Sequence, residues 1–234
     1  MALADFTLAV DSLDSTQIRR VASNGFTPPN GGGSSVFLMH AVTNATGCAV
    51  LYYNGAGFNP TATNKGLRAT LAIKKLPSGG SQGFAPFLLV MLDPNSVSDT
   101  CYMLGIADAE PGHIVLVEGR PVGGLPDVSP GNSGVLRRST EVVANDAWVH
   151  LSLEAVVNAD NDIVINVKKN DLGAHTVSSP TWAAIPGMDA FIDDAAGINS
   201  GSLPLTSGRG GFSMWSEEST RRCAFDHFTL TAQP

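Results

Sequence analysis

The sequence predicts an all-β chain: two antiparallel sheets packed face to face as a sandwich, with little helix. Three observations predict it. Apolar and polar residues alternate with a period of two in about a dozen segments. Most of the 25 glycines and 14 prolines fall between those segments, where they supply turns. No window sustains the i, i+3, i+4, i+7 apolar pattern of a helix free of glycine or proline.

The predicted strands, in order, cover residues 6–10, 36–42, 49–53, 67–76, 84–92, 101–106, 114–117, 135–143, 148–157, 163–169, 211–215 and 225–231. In the fourth, Leu67, Ala69, Leu71 and Ile73 alternate with Arg68, Thr70 and Lys74, the signature of a strand with one wet face. The fifth, 84–92, is apolar on both faces and suits a central strand, provided Pro86 sits at its start or at a bulge. The clearest alternation sets Val149, Leu151, Leu153, Ala155 and Val157 against His150, Ser152 and Glu154. After a turn at Ala159-Asp160-Asn161-Asp162 it resumes with Ile163, Ile165 and Val167. Trp148 opens this hairpin on the face opposite Leu151, which places it over a sheet or at an interface. Residues 188–196 read as a short turn of helix. In the last strand, strict alternation puts Asp226 on the same face as Phe228 and Leu230, pointing inward and in need of donors such as Arg209 or Arg221.

At 234 residues the chain fits one domain, 1–234, of the size all-β sandwiches commonly reach. Its net charge of −7 disfavours binding to phosphate backbones, which rests on clustered lysine and arginine, so nucleic acid is not an expected partner. The basic residues come largely as adjacent pairs, and neighbours on a strand face opposite ways. No apolar run reaches the roughly 18 residues of a membrane span, and the first residues carry no signal-peptide pattern. No membrane partner is expected, and synthesis in a host cytoplasm is. Cys48, Cys101 and Cys223 are widely spaced and lack a C-x-x-C motif, which predicts reduced thiols rather than disulfides or zinc.

Catalytic signatures are not met. Gly131-Asn132-Ser133-Gly134 resembles the nucleophile loop of chymotrypsin-like proteases, but Val135 stands where that family has a further glycine and no matching histidine segment precedes it. A turn accounts for the same residues. Glycoside hydrolysis needs two facing carboxylates, and of the six glutamates only Glu217 and Glu218 are close in sequence, on opposite strand faces. The expectation is a non-enzyme without a resident cofactor.

The binding candidates are Trp182 and Trp215, with Tyr52 and Tyr53, as stacking faces for sugar rings, and Asp193 and Asp194 as oxygen ligands for calcium beside a Ser- and Gly-rich loop. Asp160-Asn161-Asp162 offers oxygens too, although a hairpin turn explains it.

From about Ala147 to Leu230, Trp148-Val-His-Leu-Ser-Leu, Gly208-Arg-Gly-Gly-Phe212 and Phe225-Asp-His-Phe-Thr-Leu resemble the closing strands of the concanavalin A-like lectin and glucanase superfamily. The resemblance implies a two-sheet jelly roll. That family's catalytic carboxylate pair and full lectin metal set are absent here. The Met-Ala start, acidic β domain and long polar loops are similar to bacteriophage virion proteins that carry such domains on capsids or tails. That likeness implies a structural virion protein, a capsid decoration or tail component, forming a homo-oligomer and contacting other virion subunits. The alternative is a lectin-like module that binds glycans.

Overall fold

The computed structural model describes residues 3–11, 19–22, 29–32, 35–40, 47–55, 57–76, 84–92, 101–106, 112–119, 134–144, 146–194, 205–216 and 222–234. They form a one-turn 3-10 helix, Leu3–Asp5, and fifteen strands. The strands are β1 (Phe6–Asp11), β2 (Arg19–Ala22), β3 (Ser35–His40), β4 (Gly47–Tyr53), β5 (Gly66–Leu76), β6 (Phe84–Leu92), β7 (Cys101–Ile106) and β8 (Gly112–Gly119). They continue as β9 (Val135–Val143), β10 (Trp148–Val157), β11 (Ile163–Asn170), β12 (Trp182–Ala184), β13 (Phe191–Asp193), β14 (Arg209–Ser216) and β15 (Arg222–Gln233).

Two antiparallel sheets result. One has seven strands in the order β1-β4-β14-β6-β7-β8-β9, and the other has β12-β11-β10-β5-β15-β3-β2 with β13 also paired to β11. The second sheet shows how a period of two builds a core. Register places Leu151 opposite Leu71 and Leu153 opposite both Ala69 and Val167, so the odd-numbered residues of three strands lie on the inner face. There they meet Leu88, Leu104, Phe212 and Met214 of the first sheet, all essentially sealed from solvent. β6 is central, as its two apolar faces require, and its other face joins Val50, Met103, Val115 and Trp215 in a second buried cluster. Pro86 precedes the start of pairing with β7 at Phe87, so its missing N–H removes nothing from that ladder.

The glycines of the Gly208-Arg-Gly-Gly-Phe run have a steric reason. Gly208 has φ +144, and a Cβ on Gly211 would stand 2.1 Å from the Leu51 carbonyl oxygen on the neighbouring strand.

Two expectations are corrected. Residues 191–193 are a strand rather than a helix, because Phe191 and Asp193 pair with Ile165 and Ile163 at the free edge of β11. Strict alternation also fails in β15. The register shifts between Asp226 and Thr229, with His227 at φ 53. This bulge opposes two residues to one, so Phe225 and Phe228 both reach the core while Asp226, paired with Ala72, lies on the outer face. Asp226 Oδ1 accepts from the His227 N–H at 2.8 Å, and the Arg209 guanidinium is used elsewhere. Arg221 lies outside the described residues.

Candidate functional site

The bulge in β15 prepares a cleft. Phe228, turned inward, joins Phe6 of β1 and Tyr53 of β4, with ring centroids 5.2 Å (Phe6 to Phe228), 5.8 Å (Phe6 to Tyr53) and 6.1 Å (Tyr53 to Phe228) apart. With Asp5, Thr229 and Leu230 these rings line a cavity of about 350 Å3 between the two sheets. Phe6 is buried, while Tyr53 and Phe228 are half-buried and Asp5 is exposed.

Two residues fix this geometry. Asn54 donates its backbone N–H to the Asp5 carbonyl at 2.8 Å and its amide to the Ala4 carbonyl at 3.0 Å, while its side-chain oxygen accepts from the Thr7 hydroxyl. Together these tie the start of β1 to the end of β4. Arg209 donates to the carbonyls of Tyr53 at 3.2 Å and Gly55 at 2.6 Å, and its guanidinium lies 5.4 Å from the Tyr52 ring. It therefore holds the turn that presents Tyr53. Thr229 shares a hydroxyl hydrogen bond of 2.6 Å with Thr70. That bond lies on the outer face of the second sheet, so the cleft itself is apolar ring surface beside the Asp5 carboxylate, a combination that suits a ligand with an apolar face and hydroxyl edges.

A second cavity, of about 410 Å3, opens where β9 crosses the ends of β10 and β11. Trp148, Glu141, Lys169 and Asp171 are among its lining residues. Lys169 donates to both Glu141 carboxylate oxygens, an ion pair that bridges the two sheets. Trp148 is half-buried, with the Lys74 ammonium 5.9 Å from its ring.

Beside this cavity, on the outer face of the second sheet, His150 is fully buried against Trp182 at 4.7 Å and His227 at 5.9 Å. The Asn170 amide nitrogen sits 3.3 Å from His150 Nδ1 and also donates to the Thr176 carbonyl at 3.0 Å, so Nδ1 is the acceptor and the ring proton rides on Nε2. Nε2 has no hydrogen-bond partner among the described residues. Burial, and secondarily the neighbouring His227, push the His150 pKa down to about 4.

The sequence candidates scatter. Tyr53 lines the aromatic cleft. Tyr52 is packed under Arg209, and Trp182 is half-buried on an edge strand with its ring against His150. Trp215 is 4% exposed, enclosed on the outer face of β14 among Cys48, Phe87 and Leu89, so its ring presents no stacking face. Asp193 is buried and accepts from the Tyr102 hydroxyl at 2.5 Å, an oxygen that also receives the Leu205 N–H at 3.3 Å. Burial, then this bond, raises the Tyr102 phenol well above its usual range. Asp194 lies exposed just past the strand end, so the two carboxylates do not converge. Among the described residues no group of three or more His, Cys, Asp or Glu is placed to hold a metal. Asp160-Asn161-Asp162 is a hairpin turn, with Asn158 Oδ1 accepting from the N–H groups of Asp160 and Asp162 at 2.9 Å each. Residues 131–133 and Glu217-Glu218 lie outside the described residues.

Sequence reasoning missed Phe6, Phe228, Asp5 and Arg209 as site residues. The aromatic content of β1 and β15 was visible, but only the bulge brings those rings to Tyr53.

No family model matches the sequence, and no curated protein sequence matches it significantly. Solved structures do match in fold. A carbohydrate-binding module, CBM66, from Bacillus subtilis is 10% identical, with 97% of this chain and 94% of that one covered and a TM-score of 0.50. A PL-14 alginate lyase from Aplysia kurodai is 10% identical over 86% and 84% of the two chains, with a TM-score of 0.49. A legume lectin-like domain from Entamoeba histolytica is 10% identical over 99% and 90%, with a TM-score of 0.48. Identities this low speak for architecture, and the architecture is a concanavalin A-like jelly-roll sandwich. None of these neighbours bears on a virion role.

Proposed function

We propose that this chain is a carbohydrate-binding module whose cleft between β1 and β15 holds a sugar ring against Tyr53 and Phe228. The observation that carries the reading is the cleft's composition: half-buried aromatic rings with Asp5 at hand. A pyranose presents C–H groups on one face and hydroxyls at its edge. The rings take the first by apolar burial, and Asp5 takes the second by hydrogen bonding. At about 350 Å3 the cavity lies at the small end of the roughly 300–1,000 Å3 usual for ligand sites, a size suited to one or two sugar units. The fold shared with a Bacillus subtilis carbohydrate-binding module supports the reading.

The reading is binding without turnover. Asp5 is the one carboxylate among the described lining residues, whereas glycoside hydrolysis ordinarily uses a pair. A structural virion role rests on no observation here. Large apolar side chains exposed among the described residues are Leu8, Val142 and Ile192, on three separate strands, and they form no broad interface.

Calorimetric titration of the full chain against neutral oligosaccharides of different linkage tests the proposal. At least one should bind saturably, and Tyr53→Ala or Phe228→Ala should weaken it at least tenfold while far-UV circular dichroism stays unchanged. A panel without binding, or binding indifferent to both variants, contradicts it.

A further inference from the structure

We propose that the second cavity, between β9 and the ends of β10 and β11, binds an N-acetylated amino sugar. The inference shares its ligand class with the proposed function, and it uses a different site.

The cavity has two chemically distinct parts. Ile114, Val143, Val149 and Ala183 contribute an apolar floor, with Ile114 and Val143 themselves buried. Around it stand charged groups with hydrogen-bonding capacity left over. Lys169 gives protons to the two Glu141 oxygens and keeps a third. Asp171 Oδ1 accepts from the Gly173 N–H at 2.9 Å, which leaves its Oδ2. Asn170, by contrast, is used up: its amide serves Thr176 and His150, and its oxygen takes the Thr181 N–H at 3.0 Å. It acts as a fixed wall. Trp148, the first residue of β10, borders the cavity with its indole on the face opposite Val149, beside the Lys74 ammonium, which is itself paired with Asp146 at 2.8 Å.

An acetamido group matches that division. Its methyl requires apolar contact, its carbonyl requires a donor such as the spare Lys169 proton, and its N–H requires an acceptor such as the Asp171 or Glu141 carboxylate. A plain hexose leaves the apolar floor unfilled and the ammonium less well served. An acidic sugar would meet Glu141 and Asp171, two carboxylates to one ammonium.

The test follows the three indole N–H resonances of the 15N-labelled full chain, assigned with Trp148→Phe, Trp182→Phe and Trp215→Phe. The probes are tri-N-acetylchitotriose and cellotriose, which share a linkage and differ in the acetamido group, together with N-acetylglucosamine. The expected result is a saturable shift of the Trp148 resonance with the acetylated trisaccharide and an at least tenfold weaker response to cellotriose. A response to the monosaccharide of similar strength assigns the cavity to a single residue at a chain end, and a much weaker one assigns it to a run of sugars. The paired variant Glu141→Gln with Lys169→Met, which strands neither charge, should weaken the acetylated probe about tenfold. Tyr53→Ala should leave it unchanged. A still Trp148 resonance, or equal response to both trisaccharides, overturns the inference whatever the aromatic cleft does. Loss of the response in Tyr53→Ala reassigns the binding to the aromatic cleft and overturns it equally.

Discussion

His150 occupies a position on the polar face of a hairpin strand, yet it is completely buried, and its Nε2 proton has no partner among the described residues. Keeping it neutral is the inexpensive solution, and the pKa of about 4 expresses that. His227 shifts in the same direction, first through burial and against the opposing pull of Asp226. The native state then binds fewer protons than the unfolded chain between about pH 6.5 and pH 4, so stability falls as the pH drops through that window and levels off below it. The loss attributable to His150 is on the order of 3 kcal/mol. Urea unfolding at pH 7.5, 5.5 and 4.5 should show the decline, and His150→Gln, which cannot titrate, should flatten it even where it is less stable overall. An unchanged slope in that variant removes His150 as the cause. The alternation of Trp148-Val-His-Leu was legible in the sequence. The burial of its polar face was not, since it depends on residues far along the chain, among them Trp182, Asn170 and His227.

Several strands were read from the sequence nearly to the residue. Trp148–Val157, Val135–Val143, Phe84–Leu92 and Cys101–Ile106 have the predicted bounds. β2, β12 and β13 were missed because three or four residues at a sheet edge carry too little periodicity to register. β15 was found, and Phe228 and Leu230 do face inward, yet Asp226 was assigned to their face, since a bulge leaves no mark in a period-two pattern unless its positive-φ residue is recognised. That residue is His227, and on it depends the position of Phe228 in the cleft. Close strand approach gives a test at this scale. Gly211→Ala sets a methyl 2.1 Å from a backbone oxygen, whereas Gly173→Ala meets nothing closer than the Asp171 side chain at 3.2 Å. The first should cost about 2 kcal/mol or more, and the second should stay within about 0.5 kcal/mol. Thermal melts of the two variants decide this, and equal melting temperatures would count against the register of β14 with β4. Arg209→Lys belongs here too. Lacking the planar fork, it should loosen the Tyr53 turn and weaken sugar binding several-fold with little change in melting temperature.

The molecule as a whole is held by apolar burial between and outside the sheets, with the Lys169–Glu141 ion pair bridging them and no disulfide among its cysteines. Cys48, Cys101 and Cys223 are all buried, and burial raises the thiol pKa of Cys101 and Cys223. Native protein should therefore resist a thiol reagent that labels three groups in urea, and its melting temperature should not respond to reductant. Rapid native labelling would show that the enclosed face of the first sheet opens readily. The sandwich was legible because patterning alone determines it. The site was not, because Asp5, Phe6, Tyr53 and Phe228 come from both ends and an early strand of the chain and meet only after both sheets have formed. The most direct test of the central claim is intermolecular nuclear Overhauser contact between a bound oligosaccharide and the ring protons of the full chain. Contacts from sugar C–H protons to Tyr53 and Phe228 are the predicted result. A saturating sugar whose contacts avoid both rings would contradict the assignment of the cleft between β1 and β15 as the binding site.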